Sequence, residues 1–214
     1  MKNRHYSPVD HLLINLDNAV TTLFGRPQGS SRENPAEQQN MHELSDTENA
    51  HIAGLMRVNH TGEVCAQALY QGQALTAKLP RVRASMEQAA KEENDHLNWC
   101  DQRLNELDSH RSYLNPIWYA GSFALGATAG LFGDKWSLGF VAETEHQVVN
   151  HLQEHIQQVP QEDKRTYAIL EQMKKDEAAH GTAAVAAGAA ELPSPIKKLM
   201  TLTSKIMTTI SYRI

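Results

Sequence analysis

The sequence predicts an all-α fold. No run alternates apolar and polar residues with period two over a useful length, whereas long segments repeat apolar residues at steps of three and four. Proline, glycine and polar clusters separate those segments. At 214 residues with 41% hydrophobic content, the chain can bury a substantial single core. A net charge of −5 argues against a nucleic-acid partner held by phosphate neutralisation. Cys65 and Cys100 form no CxxC pair and no disulfide framework. The start, "MKNRHYSPVDHLLINLDNAV", has neither the unbroken apolar run nor the cleavage pattern of a secretory signal, so a cytosolic, reducing compartment is expected.

The elements follow in order. In residues 1–25, Ser7-Pro8 reads as a helix cap and first turn, and Gly25 with Pro27 as the stop. Val9, Leu12, Leu13, Leu16, Val20 and Leu23 make this an amphipathic helix. Residues 26–46, "RPQGSSRENPAEQQNMHELSD", are polar and aperiodic, and read as a flexible linker. Residues 47–214 form the main domain, with helices expected at about 47–78, 80–108, 113–132, 134–158, 161–190 and 194–212. Pro80 opens the second of these, and Pro160 parts the fourth from the fifth.

Four Glu-x-x-His pairs occur: Glu48/His51, Glu93/His96, Glu143/His146 and Glu177/His180. Residues three apart share a helix face, but the pattern alone is weak, and helical phase must select among the four. Met86, Ala89, Glu93, His96, Cys100 and Leu104 form one apolar row, as do Leu170, Met173, Glu177, His180 and Ala184. Glu48 and His51 fall among polar residues at a helix start, where an acid serves the helix dipole. Two further rows each hold one central acid. The first is Ile52, Met56, Asn59, Glu63, Ala66 and Tyr70; the other is Leu138, Ala142, Glu145, Val149, Leu152 and Ile156. Glu143 and His146 lie off the second row and read as surface residues.

The pattern is an internal duplication: Glu63 then Glu93-x-x-His96, and Glu145 then Glu177-x-x-His180. Two hairpins packed together would point four carboxylates and two imidazoles inward. This is the ligand set of ferritin-like di-iron and di-manganese proteins, and it predicts a ferritin-like four-helix bundle. Ionised carboxylates in an apolar interior cost several kcal/mol each, so the set calls for cations. Oxygen-rich ligation with one imidazole per metal suits Fe(II) or Mn(II) better than zinc. Without metal, the same residues would form a network of protonated acids and histidines.

"RVNHTGEVCA", "EENDHL", "ETEHQVVNHL" and "KKDEAAHG" resemble the motif blocks of the demethoxyubiquinone hydroxylase family of ubiquinone biosynthesis. The resemblance runs from Glu48 to the terminal "SYRI" and leaves residues 1–46 outside it. It implies a di-iron monooxygenase, peripheral on the cytoplasmic face of the cell membrane. The implied reaction uses O2 to hydroxylate the ring of a polyprenyl demethoxy-quinone or quinol. It further implies two Fe ions per chain, with Glu63 and His96 on one, Glu145 and His180 on the other, and Glu93 and Glu177 bridging. NADH is the implied electron donor, and without a strand-borne GxGxxG it must bind outside a Rossmann site. His151 matches a family histidine on the substrate side. Some members carry His-His-Tyr there, where this chain has Asn150-His151-Leu152 and no tyrosine.

Partners expected on this reading are the quinone, an anionic membrane surface and other ubiquinone-biosynthesis proteins; self-association is left open. Two alternatives stand beside it: a di-metal oxidase or peroxide-handling protein with no organic substrate, and a non-enzymatic membrane-associated helical scaffold. Cys65 and Cys100 read as small core residues. His60, Asn59, Asp95 and Asp176 are candidates to orient the ligands. Residues 112–133, "SYLNPIWYAGSFALGATAGLFG", are uncharged and long enough to suggest a membrane span. A single crossing there would separate the two ligand hairpins, so the segment is expected to lie on the bundle with one side toward lipid. The segment after Glu191, with Lys197, Lys198, Lys205 and Arg213, reads as a basic amphipathic helix for an anionic surface. The fold expected is thus a bundle with two added membrane-interacting helices.

Overall fold

The computed structural model describes residues 7–30, 32–77 and 80–214; the first six residues of the expected N-terminal segment lie outside these. Seven α-helices and no strand occur among the described residues. They are α1 (Pro8–Phe24), α2 (Asp46–Thr76), α3 (Pro80–Glu106), α4 (Asn115–Leu131), α5 (Asp134–Ile156), α6 (Lys164–Ala186) and α7 (Ser194–Ser211). The helix starts follow local chemistry. Ser7 and Asp10 exchange reciprocal hydrogen bonds at α1, and Ser45 and Glu48 do so at α2. Glu48 is therefore spent on a cap.

Hairpins α2–α3 and α5–α6 pack together as the bundle. One apolar layer contains Ile52, Met56, Cys100, Leu104, Leu152, Ile169, Leu170 and Met173. A second contains Tyr70, Met86, Leu138, Val141 and Ala184. Along every helix of the bundle, the inward acids fall between these layers. Cys100 is buried, with its sulfur 3.8 Å from that of Met173, and both cysteines are free thiols.

Helix α4 lies along α2, and glycine decides how closely. A Cβ on Gly126 would stand 2.2 Å from the Leu69 carbonyl oxygen, so the two backbones meet without intervening side chains. The opposite side of α4 and its ends leave Tyr113, Ile117, Leu125, Leu131 and Phe132 exposed. No helix among the described residues is long and apolar enough to cross a membrane. In α7, Ile196, Leu199, Leu202 and Ile206 form an exposed apolar stripe. Helix α1 rests Ala19 and Leu23 against Val64, Ala68 and Tyr119, while Val9, Leu13, Leu16 and Val20 face outward. Most of its expected stripe is therefore not the packed side; the Leu12 side chain lies outside what is described.

The linker expectation for residues 26–46 is corrected. The described residues of this segment, 26–30 and 32–46, form a strap laid across α3 and α6. Pro27 and Gln28 carbonyls accept from Asn98 and Asn94, Ser30 and Arg32 donate to Asp95, and Gln39 accepts from Arg165. Ala36, in a short 3-10 turn (Pro35–Gln38), is buried in the first apolar layer. Its polar composition looked solvated because the partners of those polar groups are distant in sequence.

A buried ion pair ties α3 to the start of α6. Asp163 caps α6 by accepting from the Thr166 N–H at 3.0 Å and also pairs with Arg103 at 3.0 Å. Asp163→Ala should cost about 3 kcal/mol in urea unfolding, because it strands a buried guanidinium, and Asp163→Asn should cost less. A loss below about 1 kcal/mol for Asp163→Ala would mean that Glu106, 2.8 Å from Arg103, satisfies that charge unaided.

Candidate metal centre

Between the two apolar layers, α2 presents Glu63, α3 Glu93 and His96, α5 Glu145, and α6 Glu177 and His180. All are buried except His180, which is partly so. Donor atoms from Glu63, Glu93, His96 and Glu177 lie within 4.8 Å of one another, and so do those from Glu93, Glu145, Glu177 and His180. The six residues therefore form two four-donor sets that share Glu93 and Glu177. Glu48 and His146 are exposed and distant from this layer in role: Glu48 caps α2, while Glu143 pairs with Lys197 at 3.3 Å. His51 bonds the Tyr212 hydroxyl at 2.7 Å.

Both imidazoles are held in one orientation. The Nδ1 of His96 faces inward, 3.2 Å from Glu93 and 3.2 Å from Glu177, while its Nε2 meets Asp176 at 3.0 Å. For His180, Nδ1 lies 3.3 Å from Glu93 and from Glu177, and Nε2 is 2.7 Å from Glu92. Each outer acid accepts the Nε2 proton and turns Nδ1 inward, where a cation that displaced the second proton would meet its lone pair. The contacts cross over: the acid preceding the shared glutamate of one helix holds the histidine of the other. Asp176 is thus an orienting residue, as the sequence suggested. Asp95 is not against a ligand; it holds the strap. Asn59 and His60 bond His155 and Asn115 rather than Glu63. The sequence reading missed Glu92, although "EENDH" and "DEAAH" both place an acid directly before the shared glutamate. It also missed Tyr70, whose hydroxyl donates to Glu145.

The electrostatics call for cations. Burial pushes the carboxyls of Glu63 and Glu145 well above the usual range, reinforced by the Glu93 charge near the first and the Glu177 charge near the second. Burial also opposes charge on Glu93 and Glu177, with carboxylate repulsion adding to it at Glu177, but hydrogen bonds to both histidines outweigh these and lower both. His96 is raised despite its burial, and His180 is pushed up to about 12, both by surrounding carboxylates. With protein groups alone, protons on His96, His180, Glu63 and Glu145 balance the cluster. Two divalent cations carry the same charge as those four protons. Glu93 Oε1 is buried and its neighbouring donor, His180 Nδ1, stands 3.3 Å away outside good hydrogen-bond geometry, which leaves an acceptor inside the cluster for a cation. The residues fit a pair of hard or borderline cations with oxygen-rich ligation.

His151 stands off this layer. It is half-buried, its ring centroid is 3.9 Å from that of His155, and its Nε2 is buried without a hydrogen bond. Burial pushes its pKa down, so at neutral pH it is an uncharged imidazole.

The family described as ubiquinone biosynthesis protein COQ7 matches residues 50–211. Proteins named 3-demethoxyubiquinol 3-hydroxylase are similar along almost the whole chain. That of Stutzerimonas stutzeri (strain A1501) is 58% identical, over 99% of this chain and 98% of the relative. That of Ectopseudomonas mendocina (strain ymp) is 59% identical over the same shares. That of Nitrosococcus oceani is 56% identical over 99% of both chains. These similarities extend over the segment that forms α1 and the strap, which the family match leaves out.

The shared position of Glu177 yields a discriminating pair of variants. Glu177→Ala should lose both metals in elemental analysis of the purified protein, and Glu48→Ala should retain wild-type content. Two metals retained in Glu177→Ala would refute a shared ligand, and loss in Glu48→Ala would refute the selection of ligands by helical phase.

Proposed function

We propose a function from the premise that the chain belongs to the ubiquinone biosynthesis protein COQ7 family: it hydroxylates the ring of a polyprenyl 3-demethoxyubiquinol. The observation that carries the chemistry is the pair of four-donor sets sharing Glu93 and Glu177, closed between two apolar layers. In this reading Glu63 and His96 would hold one iron and Glu145 and His180 the other, with Glu93 and Glu177 available to both. When bound and reduced, with NADH as the expected electron donor, the irons would supply activation of O2 and transfer of one oxygen atom to the ring.

The chain's own residues supply position and environment. Asp176 and Glu92 fix the imidazoles so that Nδ1 faces the metals. Tyr70 keeps its proton, because burial and the nearby carboxylates push its pKa up, and so it remains a donor to Glu145. The layers containing Met56, Cys100 and Met173 on one side, and Met86, Leu138 and Val141 on the other, exclude bulk water. His151, neutral and with an unpartnered buried nitrogen, is the side chain we assign to the ring of the substrate. A metal-only oxidase would need the same six ligands but no organic ring beside His151. A scaffold would need neither.

The exposed apolar sides of α4 and α7 are read as the surface that meets the membrane, where the polyprenyl substrate resides. Lys197 is paired with Glu143, so the charges offered to lipid are the exposed Lys198, Lys205 and Arg213.

Purified protein loaded with Fe(II) and given reductant should convert demethoxyubiquinol to the hydroxylated product with uptake of O2, and a strain lacking the chain should accumulate the demethoxy-quinone. A normal quinone profile in a strain with no second hydroxylase would overturn the assignment. In flotation with anionic vesicles the protein should rise with the lipid, and Lys198→Glu/Lys205→Glu should weaken this. Equal flotation on neutral and anionic vesicles would remove the basic contribution from the proposal.

A further inference from the structure

Resting on the metal-centre reading above, we infer that Arg32, carried by the N-terminal strap outside the family match, is a positioning residue for the His96 half of the centre alone. The chain of contacts is short. Arg32 Nε donates to Asp95 at 3.0 Å, and its Nη1 donates to Asp176 at 2.7 Å. The same oxygen of Asp176, Oδ2, accepts from His96 Nε2 at 3.0 Å. The guanidinium also lies over the Trp99 ring, 5.0 Å from its centroid, and that ring packs against His96 with centroids 5.4 Å apart. Arg32 thus fixes both the acid that orients His96 and the aromatic wall beside it.

The strap is itself anchored on the far carboxylate. Ser30 donates to Asp95 through its backbone N–H at 3.0 Å and through its hydroxyl. A Cβ at Gly29 would stand 2.0 Å from Asp95 Oδ1, so glycine is what lets the backbone come this close. Asp95 precedes a ligand in sequence and faces away from the metals. Its work is to hold the fork whose other arm reaches Asp176. A guanidinium suits this because its fixed planar fork spans two carboxylates, which a single ammonium cannot do with the same geometry.

The other half is built differently. The acid that holds His180, Glu92, is partly exposed and receives Gln88 at 2.9 Å; Arg32 makes no hydrogen bond to it and acts on it only through space, lowering its pKa less than Gln88 and His180 do. The two outer shells are therefore unequal although the ligands are paired by duplication, and loss of Arg32 should act on one ion.

The test titrates the full-length protein with Co(II), following both the visible absorption and the number of ions bound. Wild type should bind two ions. Arg32→Ala should bind one as wild type does and the other about 10- to 100-fold more weakly. Its one-ion spectrum should match that of His96→Ala rather than that of His180→Ala. Added guanidinium should restore the second ion, since the Arg32 side chain is a third exposed. Arg32→Lys keeps the charge and serves if Arg32→Ala does not fold; it should weaken the same ion by a smaller factor. Wild-type binding of both ions in the folded variants, equal weakening of both, or a residual spectrum like that of His180→Ala would each overturn the inference and leave the metal centre standing. Failure of wild type to bind Co(II) would instead bring down the metal-centre reading, and this inference with it.

Discussion

The burial of four carboxylates in one layer of a helical bundle is the constraint to which the rest of the molecule answers. Desolvation alone would cost several kcal/mol per charge, more than a marginally stable domain can leave uncompensated. The layer is therefore closed by imidazoles facing inward, by acids behind those imidazoles, and by apolar shelves on either side. The same requirement explains the crossed contacts from Asp176 to His96 and from Glu92 to His180. Each hairpin completes the electrostatics of the other, so the pairing of hairpins and the construction of the site are one event.

Much of this was legible in the sequence, because helical phase is local. The rows through Glu63, Glu93, Glu145 and Glu177 could be drawn from spacing alone, and phase also removed Glu48 and Glu143. The ends of the helices were set by serine caps and prolines that act within a turn. What escaped were contacts between residues far apart in the chain. Glu92 and Tyr70 look like surface and core residues until α6 and α5 lie beside them. The strap was misread for the same reason: its arginine, serine and asparagine find partners more than sixty residues away. Composition identifies a polar segment, but it does not say whether water or protein satisfies it.

The outer helices show a second limit. An apolar stripe on α1 was visible, yet of its described members only Leu23 packs inward, beside Ala19, while Val9, Leu13, Leu16 and Val20 point outward. For α4, Gly126 and Gly130 serve its close approach to α2. That approach fixes the exposed side of α4 relative to the ligand layer, since α2 carries both Gly72, which meets α4, and Glu63.

The spread of the ligands along the chain has a consequence for biosynthesis. A ribosome delivers α2 and α3, with Glu63, Glu93 and His96, well before α6 brings Glu177 and His180. Until then the first hairpin holds inward acids and half an apolar shelf with nothing to cover them, a species exposed to aggregation. The strap, made earlier still, is already available to lie along α3 while that hairpin waits. The order of synthesis thus lets α3 make its strap contacts through Asn94, Asp95 and Asn98 before the second hairpin exists, while its inward face waits for that hairpin.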